Sequence, residues 1–543
     1  MSYGTLLVAA VALPFSMLFA CLSANGRMKI TNWLWVAPVP ALAAAIFGIW
    51  NYPVMLSGPP YHITLMLDAS GCMLMLAASL LWIAAGVFVP AFFRGRGIGG
   101  SFPLCWLLTL IGSMGIFLAA DLASFLVFYA LVSLPAYGLV IYDGTPAARR
   151  AGAIYIGFAL LGENLLLVGF VLLASNDPGG SLMITDLVAA LRVAPWRDVI
   201  LTLLIAAFGM KIALLPMHFW MPLSYTVLPI PAAAVLSGAA VKAGIIGLIR
   251  FLPFDMALPG WGEMLTIVGL FGAFYGVILG ITQSDPKTVL AYSSVSQMGF
   301  LAALLGMGLA VGDAEAAPIA AFYAAYHVLV KGALFLAVGV AAVIGPRYIG
   351  LVLFPGAAVA LGLAGLPLTG GALAKLAAKV PFGYGLIGVL AACSAAGTAL
   401  LMLHFLQRVA SMASQKATKE APTPLVIAWL VIALLCVGLP WAAYPMAGLE
   451  SLSDALAPEL IWKTLWPVLV GVGLFIGLRP LLPRLPNIPI GDIAALGESV
   501  SRAAPTGGVA IEKLDSVLRL WTPACLMLLM LVILLVLAMA AGI

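Results

Sequence analysis

The sequence predicts an all-α, polytopic integral membrane protein, and three observations support that prediction. Of its 543 residues, 64% are hydrophobic and only 8% are charged, whereas soluble domains carry about 25% charged residues. The apolar residues form long continuous runs, and a membrane-spanning helix needs about 20 such residues. The runs lack the period-two alternation of a membrane β-strand. Because only helices or closed barrels can span lipid, the chain is expected to be helical.

The apolar runs divide the chain into sixteen predicted spans. They are 4–24, 32–51, 68–92, 103–119, 121–142, 150–174, 198–220, 229–252, 262–284, 289–311, 316–344, 350–380, 385–411, 424–446, 462–483 and 520–543. The twelfth is expected to be broken, because a Gly-Leu-Pro step at 365–367 and two glycines at 370–371 interrupt it. Prolines at 229 and 231 are expected to break the start of the eighth. Such breaks require protein or water to satisfy the freed backbone groups, so they indicate a polar interior.

The basic residues are distributed unevenly between alternate loops. Loops after odd-numbered spans hold sixteen Lys and Arg residues, whereas loops after even-numbered spans hold only Arg192, Arg197, Arg250 and Lys463. The positive-inside rule therefore predicts that both termini lie outside, in what we expect to be a prokaryotic cytoplasmic membrane. The net charge of +5 comes from these scattered residues and not from one basic patch, so binding to nucleic acid is not expected.

No pattern in the sequence indicates a cofactor or a metal. The six cysteines are isolated and show no CxxC spacing, so a zinc, haem or iron–sulfur site is not expected. A P-loop, a nucleophile elbow and a metal-ligand cluster are also missing from the sequence. The first apolar run is expected to be a retained helix. The polar segment 485–519 is compatible with an interfacial helix or with a loop.

The five basic residues that are not assigned to loops are all lysines: Lys211, Lys242, Lys331, Lys375 and Lys379. An ionisable side chain in mid-membrane costs at least about 2.5–3.5 kcal/mol, so it persists where it is used or paired. Lys379 lies near a span end and is expected to snorkel to the interface. The other four cannot all be neutralised by Glu163, the one acid deep in a span. Most must therefore be neutral part of the time or line water, and either state suits proton exchange.

Histidines accompany two of these lysines. His327 precedes Lys331 by four residues, which places both on one helix face, and Tyr323 lies one turn further back. His218 follows Lys211 in KIALLPMHFW. A lone histidine in a membrane is often a hydrogen-bonded core group, but a histidine one turn from a buried lysine is typical of a proton relay. His404 has no such neighbour and is expected to serve packing.

Five ordered segments resemble the antiporter-like membrane subunits shared by respiratory complex I, the related membrane-bound hydrogenases and the multisubunit cation/proton antiporters. They are KIALLPMHFWMP, VLSGAAVKAGIIGLIRF, TQSDPKTVLAYSSVSQMGF, YHVLVKGALFLAVG and GLPLTGGALAK. The resemblance covers roughly residues 100–450 and implies fourteen core helices with two inverted five-helix repeats. The chain would then comprise N-terminal helices in 1–100, the repeats in 101–255 and 256–411, further core helices in 412–484 and a terminal extension in 485–543.

The resemblance also implies roles for single residues. Lys211 matches the lysine of the family's seventh helix and Lys242 that of the eighth. His327 and Lys331 match the histidine and lysine of the eleventh helix, and Lys375 matches the ionisable residue of the twelfth. Together these residues would form a central polar axis that carries protons between two half-channels. Secondary candidates for the same pathway are His218, Tyr323 and Lys379.

The sequence departs from the family at two positions. The family usually has a glutamate in its fifth helix that pairs with the seventh-helix lysine, but FLVFYALVSLPAY has Ala130 there. We expect Glu163, one helix later, to replace it and pair with Lys211. The alternative is a degenerate site, with Glu163 protonated and hydrogen-bonded to a neighbouring helix. The family's aspartate after the tryptophan–proline step is replaced by Leu223. These departures favour a divergent branch, such as hydrogenase-like or stand-alone assemblies, over a core complex I subunit.

The expected function is that of a proton-translocating subunit, with other membrane subunits as partners and a redox reaction in a partner as the driving force. Within transport, the alternatives are a sodium or potassium ion/proton antiporter subunit and a proton-gradient-coupled subunit for inorganic-carbon uptake. From another class, the alternative is a structural anchor that has lost conduction, for which Ala130 is the main evidence. An enzyme with its own catalytic centre is the least expected.

Overall fold

The computed structural model of the protein describes residues 3–48, 54–56, 63–94, 100–176, 180–412, 422–447, 456–486 and 488–491. Its α-helices are α1 (Tyr3–Ala20), α2 (Ala24–Thr31), α3 (Val39–Phe47), α4 (Ala69–Phe92), α5 (Phe102–Leu118), α6 (Leu122–Val140), α7 (Pro146–Ser175), α8 (Ile184–Ala190), α9 (Arg197–Lys211), α10 (Trp220–Val227), α11 (Ile230–Val235), α12 (Lys242–Phe251), α13 (Pro259–Gly280), α14 (Pro286–Val311), α15 (Ala316–Ala341), α16 (Gly350–Ala364), α17 (Gly370–Phe382), α18 (Leu386–Met412), α19 (Thr423–Ala443) and α20 (Pro458–Leu478). A short antiparallel hairpin pairs β1 (Val54–Leu56) with β2 (Ile63–Leu65).

The helical membrane fold agrees with the prediction. In the described part of the chain, ten helices are long and apolar enough to cross a membrane, and three shorter apolar helices accompany them. Residues 492–543 lie outside the described ranges, and they contain the sixteenth predicted span and most of the segment 485–519.

The second predicted span, 32–51, is wrong as a single long helix. Turns occupy 32–38, and α3 covers only Val39–Phe47. Pro38 precedes α3 and Pro40 lies in its first turn. A proline lacks the backbone N–H that an interior helical position needs but is tolerated in the first turn. The two prolines therefore fix where the helix begins.

The first helix break lies earlier than predicted. The prolines at 229 and 231 begin α11 and do not interrupt it. The seventh predicted span is the broken one, because α9 ends at Lys211 and α10 begins at Trp220. Within this break Ala213 has a φ of 59°, which is uncommon for a residue other than glycine. The eighth span continues from α11 to α12 through a π-helical segment, Leu236–Ala240.

The predicted break in the twelfth span is confirmed. Helix α16 ends at Ala364 and α17 begins at Gly370. Gly365 has a φ of 104° and Leu368 a φ of 63°, so the chain turns sharply between the two helices. A Cβ atom on Gly371 would lie 1.6 Å from the carbonyl oxygen of Gly362. Only glycine at position 371 therefore allows the two helix ends to approach this closely.

The centre of the protein is formed by helices that are buried on every side. The most apolar stretches of α15 and of the 230–251 segment are fully buried, and α15 packs against α4, α14 and α19. Helices α13 and α14 approach each other closely at glycines. A Cβ atom on Gly269 would lie 2.5 Å from the backbone nitrogen of Ala303. Small residues that let helix backbones approach are typical of membrane helix packing.

Acidic residues near span ends act as caps in the described structure. Asp68 caps α4 and forms a two-point ion pair with Arg250, at 3.0 and 3.1 Å. The guanidinium also donates to three carbonyl oxygens at the end of α5, those of Ile116, Phe117 and Ala119. These bonds use all five N–H donors of Arg250. They hold the start of α4, the end of α5 and the end of α12 together.

Candidate functional site

The lysines and histidines predicted at membrane depth are buried in the structure. Lys242, His327, Lys331 and His218 have no exposed surface, and Lys211 and Lys375 are 9% and 7% exposed. Glu163 is only partly buried, on α7. Burial of so many basic groups is costly, and it is the strongest indication of a functional site. The six primary candidates fall into three groups, described in turn.

The first group surrounds Lys211 at the last residue of α9, where the helix breaks. Its ammonium group donates a hydrogen bond to the hydroxyl of Ser133 on α6, at 2.7 Å, and lies 5.6 Å from the centre of the Tyr129 ring. A cavity of about 20 Å³ adjoins these side chains, enough space for one water molecule. A second, of about 10 Å³, lies between Lys211 and the π-helical segment, with Leu236 and Ala240 in its wall. Lys211 thus adjoins two small cavities.

Glu163, on α7, is the other ionisable candidate in this first group. Its carboxylate lies near Lys211 and the hydroxyl of Ser133, but among the described residues no direct ion pair joins Glu163 to Lys211. Its neighbour Gly162 lines the same cavity as Lys211. The carboxylate oxygen Oε1 is buried and has no hydrogen-bond partner among the described residues. A buried acceptor without a partner is costly, so this oxygen is available to a proton or a water molecule.

The central group contains Lys242, His327 and Lys331. The Nζ atom of Lys242, the first residue of α12, lies 3.0 Å from Nδ1 of His327 on α15. One turn along α15, Lys331 donates to the backbone carbonyl of Leu290 at 2.9 Å. The other ring nitrogen of His327, Nε2, has no hydrogen-bond partner in the described part of the chain. An ammonium group can only donate, so charged Lys242 requires Nδ1 to accept and leaves the ring proton on Nε2.

A π-helical segment immediately precedes Lys242. Inside it, the hydroxyl of Ser237 lies 3.1 Å from that of Ser294 on α14. Segments of this kind are rare and occur frequently at functional sites. A Cβ atom on Gly238 would lie 2.9 Å from the carbonyl oxygen of Val328 on α15. The glycine therefore brings this segment and α15 close together beside the Lys242–His327 contact.

The third group surrounds Lys375, in the first half of α17 and just after the second helix break. Its Nζ atom lies 3.7 Å from the centre of the Phe300 ring and 5.3 Å from that of Tyr323, so the ring faces stabilise a positive charge. The same atom has no hydrogen-bond partner among the described residues. Tyr323 donates to Gln297 at 2.6 Å, and Gln297 donates to Thr398 at 3.1 Å. A cavity of about 40 Å³ adjoins Lys375.

The secondary candidates occupy different places. Tyr323 belongs to the third group. Lys379 is partly exposed, lines the cavity beside Lys375 and donates to the backbone carbonyl of Lys463 at 3.0 Å. His218 lies in the break between α9 and α10, with its ring edge-on to that of Tyr275. His404 has a polar environment that its sequence neighbours did not indicate, since its Nε2 atom lies 2.9 Å from the carbonyl oxygen of Gln283.

Sequence reasoning missed several side chains that complete the groups. Ser133 lies one turn after Ala130 on α6 and takes the contact with Lys211. Gln297 and Thr398 connect Tyr323 to α18. A usable signal existed for Gln297, because an amide inside an apolar membrane span requires a hydrogen-bonding partner. In the described residues, no group of three or more His, Cys, Asp or Glu side chains is arranged to hold a metal ion.

Comparisons with known proteins agree with the geometry. A family model described as NADH:quinone oxidoreductase/Mrp antiporter, TM, matches residues 119–347. This chain is 34% identical to NADH-quinone oxidoreductase subunit N of Desulforudis audaxviator, over 60% of this chain and 68% of that protein. It is 30% identical to a Na(+)/H(+) antiporter subunit of Alkalihalophilus pseudofirmus, over 52% and 57%, and 28% identical to hydrogenase-4 component B of Escherichia coli, over 52% and 44%. The matches thus span from less than half to about two thirds of these relatives.

Two solved structures share the fold. The Mrp complex from Dietzia sp. DQ12-45-1b aligns with a TM-score of 0.77 and 23% identity, over 98% of this chain and 63% of the matched chain. The archaeal membrane-bound sulfane sulfur reductase aligns with a TM-score of 0.66 and 19% identity, over 98% and 99%. The buried basic groups, the two broken helices and these similarities agree, and the chain belongs to the NADH:quinone oxidoreductase/Mrp antiporter family as an antiporter-like membrane subunit.

Proposed function

We propose that this chain is the proton-translocating membrane subunit of a larger, redox-driven complex. The observation that supports the proposal most directly is the series of buried basic side chains from Lys211 through Lys242 and His327 to Lys375. Small cavities adjoin Lys211 at one end of the series and Lys375 at the other. Burial favours the neutral form of a lysine, so each group can accept and release a proton.

The chemistry of the groups favours protons over metal cations as the transported ion. Sodium and other hard cations are bound by oxygen ligands. The described series instead presents the nitrogen atoms of Lys211, Lys242, His327, Lys331 and Lys375. In its protonated form each of these groups repels a cation, and in its neutral form each binds a proton more readily than sodium. Glu163 is the one carboxylate of the first group.

In this proposal Glu163 takes the place of the carboxylate that the family keeps at the position of Ala130. Ser133 supports the idea, because it contacts Lys211 and interacts with Glu163. The pair would open and close as protons arrive and would switch Lys211 between donor and acceptor. We further propose that 101–255 and 256–411 form the two inverted repeats, each with one broken helix. Both termini would lie outside a prokaryotic cytoplasmic membrane, and other membrane subunits would be partners.

Ion movement in the reconstituted complex tests the proposal. The intact complex is placed in sealed vesicles and driven by the redox reaction of its partner subunits, and the internal pH is followed. Proton movement that persists without sodium and potassium is expected. Proton movement that requires either cation would instead identify a cation/proton antiporter subunit. If the complex catalyses its reaction but moves no ion, the chain is a structural anchor.

A further inference from the structure

A basic groove opens between α17, α18 and α20, next to the third group. Its cavity has a volume of about 560 Å³, within the range of ligand pockets, about 300–1,000 Å³. Two lysines line it, Lys379 on α17 and Lys463 on α20, and its lining in the described part of the chain contains no acidic residue. Glu459, one turn before Lys463, is exposed and does not line the groove. The described lining of the groove is therefore positively charged.

Lys463 differs from the other basic residues on the same predicted side of the membrane. Four basic residues lie on the side of the predicted topology that carries few of them: Arg192, Arg197, Arg250 and Lys463. Each of the three arginines forms an ion pair with an aspartate. The Nζ atom of Lys463 instead lies 5.9 Å from the centre of the Tyr384 ring, a contact typical of a cation and an aromatic face. The charge of Lys463 is thus directed into the groove.

The rest of the groove lining is mostly apolar, and part of it is exposed, as expected of a site that opens to lipid. The side chains of Val380, Tyr384 and Val389 are 66%, 92% and 54% exposed, so the groove is apolar where it opens to the surface. Trp466 also lines it. Tryptophan and tyrosine are enriched at the depth of lipid headgroups, and basic pockets between membrane helices bind anionic headgroups. A molecule that fills this groove must be apolar where it contacts the opening and negatively charged where it contacts the two lysines.

We propose that this groove binds an anionic phospholipid, whose phosphodiester lies between Lys379 and Lys463 and whose acyl chains follow the apolar opening. Lys379 uses one donor for the carbonyl oxygen of Lys463, and its two other donors remain for a phosphate. Lys379 and Lys463 also line the 40 Å³ cavity that contains Lys375. The bound phosphate would therefore lie at the mouth of the cavity that leads to the third group.

Fluorescence quenching by brominated lipid tests this proposal without reference to transport. The full chain, in the complex with which it purifies, is reconstituted into phosphatidylcholine vesicles with increasing brominated phosphatidylglycerol. The quenching that is due to Trp466 is the difference between the quenching of the unmodified chain and that of the Trp466→Phe variant. Each lysine near an anionic surface changes affinity about fivefold. We therefore expect the double variant Lys379→Gln/Lys463→Gln to need about 25 times more phosphatidylglycerol for half-maximal quenching.

The matched control removes two exposed basic residues elsewhere, in Lys29→Gln/Arg149→Gln, and should leave half-maximal quenching unchanged. Lys379→Arg/Lys463→Arg keeps the charge and should retain tight binding. If the double glutamine variant does not fold, each single variant should show the fivefold change. Equal quenching by brominated phosphatidylcholine would overturn the proposal, as would an equal loss in the control. Absence of any Trp466 quenching in the complex would show that another protein covers the groove and would also overturn it.

Discussion

The ammonium group of Lys211 on α9 donates a hydrogen bond to the hydroxyl of Ser133 on α6, at 2.7 Å. Ser133 lies one turn after Ala130 on α6. Helix α6 thus contacts the lysine through a neutral oxygen. A hydroxyl can both donate and accept, so Ser133 can serve Lys211 in either protonation state.

Removal of the Ser133 hydroxyl should impair both stability and transport. In Ser133→Ala the buried Lys211 amine loses this partner, which costs about 1–3 kcal/mol. We expect a lower midpoint of thermal unfolding and slower proton movement in vesicles. Ser133→Thr keeps the hydroxyl and should retain most of the activity. Ser16→Ala removes an exposed hydroxyl bonded to the Leu13 carbonyl and serves as the control. Normal transport in Ser133→Ala would show that the contact is dispensable.

Replacement of Glu163 tests whether it substitutes for the missing carboxylate. Glu163→Gln keeps the shape of the side chain but cannot release a proton, so proton pumping should be abolished. Ala130→Glu in the Glu163→Gln background should restore part of it, because it returns a carboxylate to α6. Failure of the rescue can reflect a lack of space on α6. Unchanged pumping in Glu163→Gln alone would rule out the proposed role of this residue.

Lys211, Lys242 and Lys375 should be required for ion movement but not for folding. Replacement of Lys211, Lys242 or Lys375 by methionine keeps an apolar stem of similar length and removes the titratable amine. Because this relieves the cost of burying a charge, yield and unfolding midpoint should not fall. Proton pumping should fall by about tenfold or more in each variant. Lys29→Met, which changes an exposed lysine, should pump normally. Full activity in all three buried variants would favour a structural anchor.

The second helix break should depend on Gly371. A Cβ atom there would meet the carbonyl oxygen of Gly362 at 1.6 Å, so Gly371→Ala must push α16 and α17 apart. We expect a lower yield of folded protein and a lower unfolding midpoint. Gly385→Ala is the control, since a Cβ atom on Gly385 would have no heavy atom within 4 Å. Equal stability of the two variants would show that the break relaxes without cost.

The distribution of loop charge predicts the topology. Reporter fusions placed within 413–421 and after Ile543 should report opposite sides of the membrane, with the first in the cytoplasm. The physical reason is the excess of basic residues in loops after odd-numbered spans. Reporters on the same side would mean that one span is miscounted. The regions where the count would then need to change are 350–384 and 485–519.

Sequence reasoning worked best where a single physical rule decides the outcome. Long apolar runs specify spanning helices, and the glycines around Gly365 specify the second break. It misplaced the first break because the prolines at 229 and 231 fit the first turn of a helix. The real break, at 212–219, contains Pro216, a helix-breaking signal that the prediction did not use. Ser133 was missed as the partner of Lys211, since the two residues lie on helices far apart in sequence.

The 3.0 Å contact between Lys242 and His327 has a consequence for how many protons the centre can hold. Two positive charges at this separation repel with an energy on the order of 5 kcal/mol, even at an effective dielectric constant of about 20. A proton on the lysine therefore excludes a second proton from the imidazole, and the reverse also holds. The Lys242–His327 pair therefore favours holding one proton over holding two. In the proposed proton pathway, protons would pass this pair of residues one at a time.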